Sequence, residues 1–326
     1  MQHFTGREYV CIDVANQMGY DKLTWQERID WTTENEPRLE QLDKEADNPY
    51  LYRKAVRALR DTDNNTPTGF AMGLDATSSG LQLMSILIGD EIGARNTNII
   101  NTGKREDIYT KVTNEMNKLT GISVTRKVIK KPCMTVFYGS KRQPKQVFGE
   151  DTPELAAFYK ILEQELPGPM EVMDDIQSCW QSNVLSHEWV LPDGHKVIAK
   201  VTEPVDKKVE IQELDKKSFT HRIYMNKPSK FGLSLCANAI HSIDAFVIRE
   251  MVRKCDFELY TIHDSIWSSP NNLNQVRETF LEILIEIAKS NLLEDILVKV
   301  TNNSSLKLTG YKDISSKMLD AEYFLS

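Results

Sequence analysis

Helical spacing of apolar residues dominates this chain. Between residues 24 and 46, Trp25, Ile29, Leu39 and Leu42 recur among charges, and Thr24 with Glu27 three positions on has the form of a capping box. Asn48-Pro49 breaks that run, and residues 50–60 read as a second, basic helix. A polar loop over 61–68 leads to a short apolar strand, 69–75, that ends on Asp75. After the turn Ala76-Thr-Ser-Ser-Gly80, residues 81–88 resume helical spacing, and 107–119 is a further helix. Residues 151–175 form an acidic helical hairpin split at Pro167-Gly168-Pro169, and 189–201 a β-hairpin turning on Leu191-Pro-Asp-Gly194. The charged stretch 203–230 reads as an irregular surface excursion, and 231–254 as an apolar helix. Residues 257–267 place two strand-forming arms around His263-Asp264, stopping at Ser268-Ser269-Pro270. An amphipathic helix over 274–290 and an apolar tail, Tyr323-Phe324-Leu325-Ser326, complete the pattern, the tail being of a kind that docks. The fold class expected is α+β, mainly helical, with a small antiparallel sheet.

Composition narrows the class. With 326 residues, 40% apolar and 27% charged, the chain has the makings of a globular body with a large core. Its longest apolar runs fall far short of the ~20 residues that span a bilayer, so no membrane role is expected. The five cysteines show neither metal spacing nor a disulfide framework. A net charge of −7 excludes an indiscriminate polyanion binder, yet residues 121–149 hold seven basic residues and no acidic one. Such a localised strip suits a bound anion.

Within the strip, Arg126, Lys130, Met134 and Tyr138 recur every fourth residue. Each step drifts only ~40° around a helix, so the four share one broad face, cationic at one end and aromatic at the other. That face suits a nucleoside triphosphate, with cations on phosphate and the ring near base or sugar. A solvated basic helix whose Met and Tyr touch the core satisfies the same residues. Pro132 is expected to kink or restart this helix. Asp75 and Asp264, each at the end of a strand and far apart in sequence, could together hold two Mg²⁺ ions for in-line nucleotidyl transfer. For Asp75 alone, an N-capping loop with a solvated carboxylate is the plain alternative.

At these residues the chain resembles the single-subunit DNA-dependent RNA polymerases of phages and mitochondria. Gly73-Leu-Asp75-Ala-Thr-Ser-Ser-Gly80-Leu-Gln82 is similar to their first palm motif. Arg126, Lys130, Met134-Thr and Tyr138-Gly139-Ser140-Lys141 match their fingers helix, and His241-Ser242-x-Asp244 and Ile262-His263-Asp264-Ser265 the later pair. Fainter similarity runs through Ala15-Asn16, Trp25 to Asn35, Pro192-Asp-Gly194 and the closing Asp313-Ile314 to Tyr323-Phe324, so it spans almost the whole chain. The departures are Ala76 for a usual Gly, Leu83 for an aromatic or His, and Pro132.

The resemblance implies a right-hand polymerase: a helical segment over 1–68, palm over 69–95 and 231–326, fingers over 96–185, and a reduced specificity-loop region over 186–230. It implies two Mg²⁺ ions on Asp75, Asp264 and the Ala76 carbonyl. Lys130 would clamp the triphosphate and act as general acid, with Arg126 at the γ-phosphate. Tyr138 and His241 would sense the ribose 2′-OH, Gly139 would admit the template, and His263 would position the primer end or Asp264. Related DNA polymerases place a bulky Glu where Gly80 stands and carry His-Asp-Glu rather than His-Asp-Ser, so the resemblance points to ribonucleotides. No Arg-Gly-Arg occurs anywhere, and the similarity begins within about fifteen residues of Met1. The expectation is therefore the catalytic C-terminal chain of a two-polypeptide phage RNA polymerase in the cytoplasm of an infected bacterium. Its partners would be DNA template, RNA transcript, ribonucleoside triphosphates, a second polymerase subunit and a DNA-loading factor. The alternatives are a catalytically silent nucleic-acid-binding or scaffold subunit, a fragment of a related DNA polymerase, and a metal-dependent nuclease using His241, His263 and Asp264.

Overall fold

The helix after Asp75, Ser79–Ile88, is the hub of the molecule. Every residue from Leu81 to Ile88 is buried, as befits a helix apolar on all sides. In the computed structural model, which describes residues 1–230, 232 and 234–326, this hub is α4 of thirteen helices among the described residues. Before it come α1 (Gly6–Ala15), α2 (Trp25–Asn35), α3 (Pro49–Asp63) and strand β1 (Met72–Asp75). After it come α5 (Glu91–Asn96), α6 (Ile108–Thr120), α7 (Arg126–Val136), α8 (Arg142–Phe148), α9 (Pro153–Glu165) and α10 (Pro167–Ser178). Two antiparallel hairpins follow, β2 (Ser186–Val190) with β3 (Lys196–Lys200), and β4 (Thr202–Ile211) with β5 (Lys217–Asn226). The chain then forms α11 (Ser234–Lys254), β6 (Tyr260–Ile262), β7 (Ser265–Ser268), α12 (Leu273–Ala288) and α13 (Leu292–Thr301). The architecture is mainly helical α+β with small antiparallel sheets.

The central sheet has strand order β1-β7-β6, with Asp75 opposite Ser265 and Ile262 opposite Ser265 across the hairpin. Helices α10, α11 and α12 pack on the hub α4, and one apolar cluster runs from Phe4 through the sheet to Phe324 and Leu325. The tail is docked as its apolar residues require, with Phe324 and Leu325 fully buried.

Several expectations are corrected. Thr24 and Glu27 do form the reciprocal capping box, but α2 ends at Asn35 rather than running to residue 46. Pro37 has no N–H to donate back into α2, Asn35 already leaves helical geometry, and a 3₁₀ turn, Glu36–Gln41, takes over. Pro49 starts α3 rather than only breaking the preceding run, since a first-turn residue needs no N–H partner. The strand expected from residue 69 begins at Met72. Helix α7 runs unbroken through Pro132 rather than restarting there. The stretch expected to be irregular, 203–230, contains the regular ladder β4–β5, ten residues in each strand. Both its faces meet solvent, so it lacks the one-sided burial that marks a strand in sequence. For the helix expected over 231–254, Phe231 and Leu233 lie outside the described residues.

Asp13, buried on α1, accepts a hydrogen bond from Gln17 Nε2 (2.9 Å), and burial pushes its carboxyl up to about 6. A carboxyl raised on folding favours the folded state when protonated, and that contribution is lost as pH rises through about 6. Asp13→Asn keeps an acceptor for Gln17 without the charge. Its melting temperature should exceed that of the parent by several degrees at pH 8 and match or fall below it at pH 4, in paired thermal melts.

Candidate active site

The antiparallel pairing of β1 with β7 sets the ends of two distant segments side by side. Asp75 closes β1, and Asp264 occupies the two-residue turn between β6 and β7. The Ala76 N–H donates to the Asp264 carbonyl (3.2 Å), so a backbone hydrogen bond ties the two carboxylate-bearing segments together. His263, the other turn residue, has φ 54°, a left-handed conformation uncommon for residues other than Gly but enriched in Asn, Asp and His.

On its other edge, the end of β1 is held by the tail. The Ser326 N–H donates to the Asp75 carbonyl (2.9 Å) and the Thr77 N–H to the Phe324 carbonyl (3.1 Å). Gln82, buried on α4, donates from Nε2 to the carbonyls of Thr97 and Phe324, both at 2.9 Å. A tail that reads only as docked in sequence therefore braces one of the two carboxylates.

A cleft of about 370 Å³ opens above these strands. Asp75, Ala76 and Asp264 line its floor, and Arg126, Lys130, Met134 and Tyr138 of α7 and its C-terminal end line the wall, so the four-residue stripe does face one way. Arg126 is aimed by Asp107, the N-cap of α6, which accepts from Arg126 Nε at 2.5 Å. The Arg126 guanidinium carbon also lies 5.4 Å from the Tyr109 ring centre and Lys130 Nζ 5.9 Å from it. His241 does not line the cleft, but its ring is 4.8 Å from that of Tyr138. Gly139 lies apart, in a neighbouring hollow with Lys141, Lys145 and Tyr159.

Sequence reasoning missed Asp21, Lys22 and Arg105, which also line the cleft from loops. Lys22 and Arg105 are both held below their ordinary values, chiefly by burial, with neighbouring cations adding to the effect. Asp107 and Tyr109 were likewise not foreseen, although Asp107 had the sequence position of an N-cap.

The electrostatics of the floor are those of crowded acids. Burial raises the Asp264 carboxyl above its usual range and the Asp75 charge adds to it, while hydrogen bonding from Ser79 opposes. Burial, then the charge of Asp264, pushes Asp244 up to about 6. Burial raises the Tyr138 hydroxyl to about 12, so Tyr138 is a neutral hydrogen-bonding group at neutral pH. His241 is lowered by burial and by His263. Three carboxylates, Asp21, Asp75 and Asp264, beside four cationic side chains suit a polyanion together with a small cation. Among the described residues, no three or more His, Cys, Asp or Glu are placed to form a metal cage of their own.

The model of the DNA-dependent RNA polymerase family matches residues 3–147 and 158–322. The chain belongs to this family. The DNA-directed RNA polymerase of Pseudomonas phage phiKMV is 23% identical over an alignment covering 87% of this chain and 44% of that protein. T7 RNA polymerase of Escherichia phage T7 is 23% identical, over 85% of this chain and 43% of its own length. The mitochondrial DNA-directed RNA polymerase of Mus musculus is also 23% identical, over 83% and 26% respectively. The chain thus spans less than half the length of these RNA polymerases. Among the described residues, no helix is long and apolar enough to cross a membrane.

Proposed function

We propose that this chain carries the catalytic centre of a DNA-directed RNA polymerase. The observation that carries this reading is the convergence of Asp75 and Asp264, from two separate segments, opposite the cationic face of α7 across one cleft. Residues 69–95 and 231–326 act as palm and 96–185 as fingers. The segment 1–68 is an accessory helical layer, and 186–230 takes the place of a specificity loop.

The donor set fits Mg²⁺, which takes one or two carboxylates and completes its shell with water and substrate phosphates. Asp75, Asp264 and the Ala76 carbonyl would hold it. When bound, such ions activate the attacking hydroxyl and neutralise charge on the phosphates. This chain's own residues do the rest. Lys130, Arg126, Lys22 and Arg105 grip the triphosphate of a ribonucleotide. As the transcript 3′-oxygen, its proton passing to solvent water, bonds to the α-phosphorus, the bond to the bridging oxygen of pyrophosphate breaks. Lys130 stabilises the departing charge and supplies a proton to it. Tyr138, backed by the His241 ring, lies where a 2′-OH can be sensed. His263 positions the primer end or steadies the turn that carries Asp264, and Gly139, outside the cleft, lies on the template side.

A second polypeptide is proposed to supply what the longer relatives carry beyond the region matched here, with a separate factor loading DNA, in the cytoplasm of an infected bacterium. The test is extension of an RNA primer on a DNA template with ribonucleotides and Mg²⁺. The chain alone should extend feebly, and adding the complementary polypeptide should raise the rate by at least tenfold. Full extension by the chain alone would remove the need for the second polypeptide, and no extension in any combination would sink the catalytic reading.

A further inference from the structure

Helix α3 presents a stripe that the active site does not use. Tyr50, Arg53, Lys54 and Arg57 stand at positions i, i+3, i+4 and i+7, so they share one face of the helix. On a chain of net charge −7 this face is basic and open. Tyr50 is 84% exposed, with the Arg53 guanidinium carbon 5.7 Å from its ring centre. The stripe runs into a groove of about 630 Å³ between α3 and the segment 67–70, lined by Arg53, Lys54 and Arg57, with Asp61 as its one acid.

The cations of α3 divide into two kinds. Arg60 is held by Glu40 (2.8 Å) and by the Glu36 carbonyl (2.6 Å), and Arg53 Nε by Asp43 (2.6 Å). Arg57 is exposed and has no carboxylate within ion-pair distance among the described residues. Lys54 Nζ donates to the Ala71 carbonyl (3.3 Å), lies 4.9 Å from the ring centre of Phe70 and 5.8 Å from that of Trp267, and its charge reaches the buried Asp13 carboxyl. The groove thus offers two cations, Lys54 and Arg57, with no ion-paired carboxylate among the described residues, beside an exposed aromatic ring that already carries a guanidinium.

Its position ties it to the central sheet. The groove residue Phe70 leads into β1, which ends at Asp75, and Trp267 lies opposite Gly73 in β7. A Cβ on Gly73 would sit 2.3 Å from the Trp267 ring, so the indole packs against β1 at Gly73. At ~3.3 Å per extended residue, the path from Phe70 to Asp75 is roughly 15 Å, two or three nucleotides of a stretched strand.

We propose that the α3 groove binds a single strand of nucleic acid, its phosphodiesters on Lys54 and Arg57 and a base stacked on Tyr50. Charge alone would suit an acidic protein segment too. The exposed ring under a guanidinium favours a ligand with flat faces, which stacking and cation–π contact reward. The strand comes from the transcript or from single-stranded DNA, and both offer this chemistry. That a strand passes here rests on the polymerase reading of the cleft.

The experiment keeps the two readings separable by measuring binding in the full chain carrying Asp264→Asn, where no synthesis intervenes. The probe is a fluorescein-labelled twelve-nucleotide single-stranded RNA, read by anisotropy over a salt series. Lys54→Gln with Arg57→Gln should weaken binding by tenfold or more and flatten the slope of log K against log salt by roughly 1.4. Tyr50→Ala should weaken it about fivefold or more at unchanged slope, and Arg57→Lys should retain the slope. Affinity and slope unchanged in the double variant would overturn the proposal. So would poly-L-glutamate of equal charge binding as tightly as RNA and equally insensitive to Tyr50→Ala, the behaviour of a dock for acidic protein. Crosslinking of 4-thiouridine RNA or 5-iodouracil DNA to residues 49–63 on a primed template assigns the strand, and crosslinking of neither overturns the proposal.

Discussion

Template-directed nucleotide addition is expected to fall by roughly 10³-fold or more when Asp264 is replaced by Asn, and by a similar factor for Asp75→Asn. Each amide keeps the size of the carboxylate and removes the charge that holds a divalent cation. The loss should not come from unfolding. Burial and the neighbouring Asp75 charge raise the Asp264 carboxyl, so its ionised form is disfavoured in the folded protein. Removing that charge relieves repulsion on Asp75 and Asp244. The melting temperature of Asp264→Asn without Mg²⁺ is therefore expected to equal or exceed that of the parent at pH 8. Activity and stability should move in opposite directions, which separates a ligand from a structural acid. The sign with pH follows as well. A raised carboxyl must lose its proton to bind a cation, so cation affinity in the parent declines as pH falls through that raised value, and excess Mg²⁺ should push the decline to lower pH. Primer extension and thermal melts across pH 6–9 check both. Unchanged extension by Asp264→Asn would take this carboxylate out of the chemistry and favour a silent scaffold.

The parts of this site that were legible in sequence are those written by short-range rules. The Thr24–Glu27 box, the four-residue stripe on α7 and the turn-borne Asp264 each follow from spacing of a few residues. Pairing Asp75 with Asp264 rests on their chemistry and on the resemblance rather than on any local rule, and the β1–β7 register sets Asp75 opposite Ser265, next to Asp264. What stayed hidden came from loops and from the tail. Lys22, Arg105 and Ser326 reach the cleft because tertiary packing brings them there, and none lies in a periodic segment. The β4–β5 hairpin stayed hidden for another reason. A ribbon wet on both faces has no buried side, so burial leaves no alternation to read. Pro132 misled because its rule is local, whereas Ile129, Cys133 and Val136 on the same helix are buried and hold it in place.

Substitutions at Gly80 should alter which sugar is used before they alter the fold. A Cβ built on Gly80 lies 2.3 Å from the Tyr138 Oη and 3.1 Å from its Cζ, so the glycine makes room for the tip of the tyrosine. That tip is the free end of a side chain and can swing away. Gly80→Ala is therefore expected to melt within a few degrees of the parent while displacing Tyr138 from the wall of the cleft. Forcing the hydroxyl aside costs on the order of 1–3 kcal/mol, which corresponds to a loss of about tenfold in ribonucleotide addition, with a smaller loss for deoxynucleotides. Gly80→Glu places a longer side chain and a further negative charge beside Asp75 and Asp264, and should reduce addition of any nucleotide by about 10²-fold. Tyr138→Phe supplies the internal control. It deletes Oη, the nearest colliding atom, and should by itself raise deoxynucleotide incorporation relative to ribonucleotide. If the clash is the cause, Gly80→Ala costs much less in the Tyr138→Phe background than in the parent, a non-additive pair of the kind expected for residues in contact. Competition between ribo- and deoxynucleotides on one primed template measures all four forms. Additive effects of the two substitutions, or an unchanged sugar preference in Tyr138→Phe, would leave the hydroxyl without a part in selection and place discrimination elsewhere on the cleft wall.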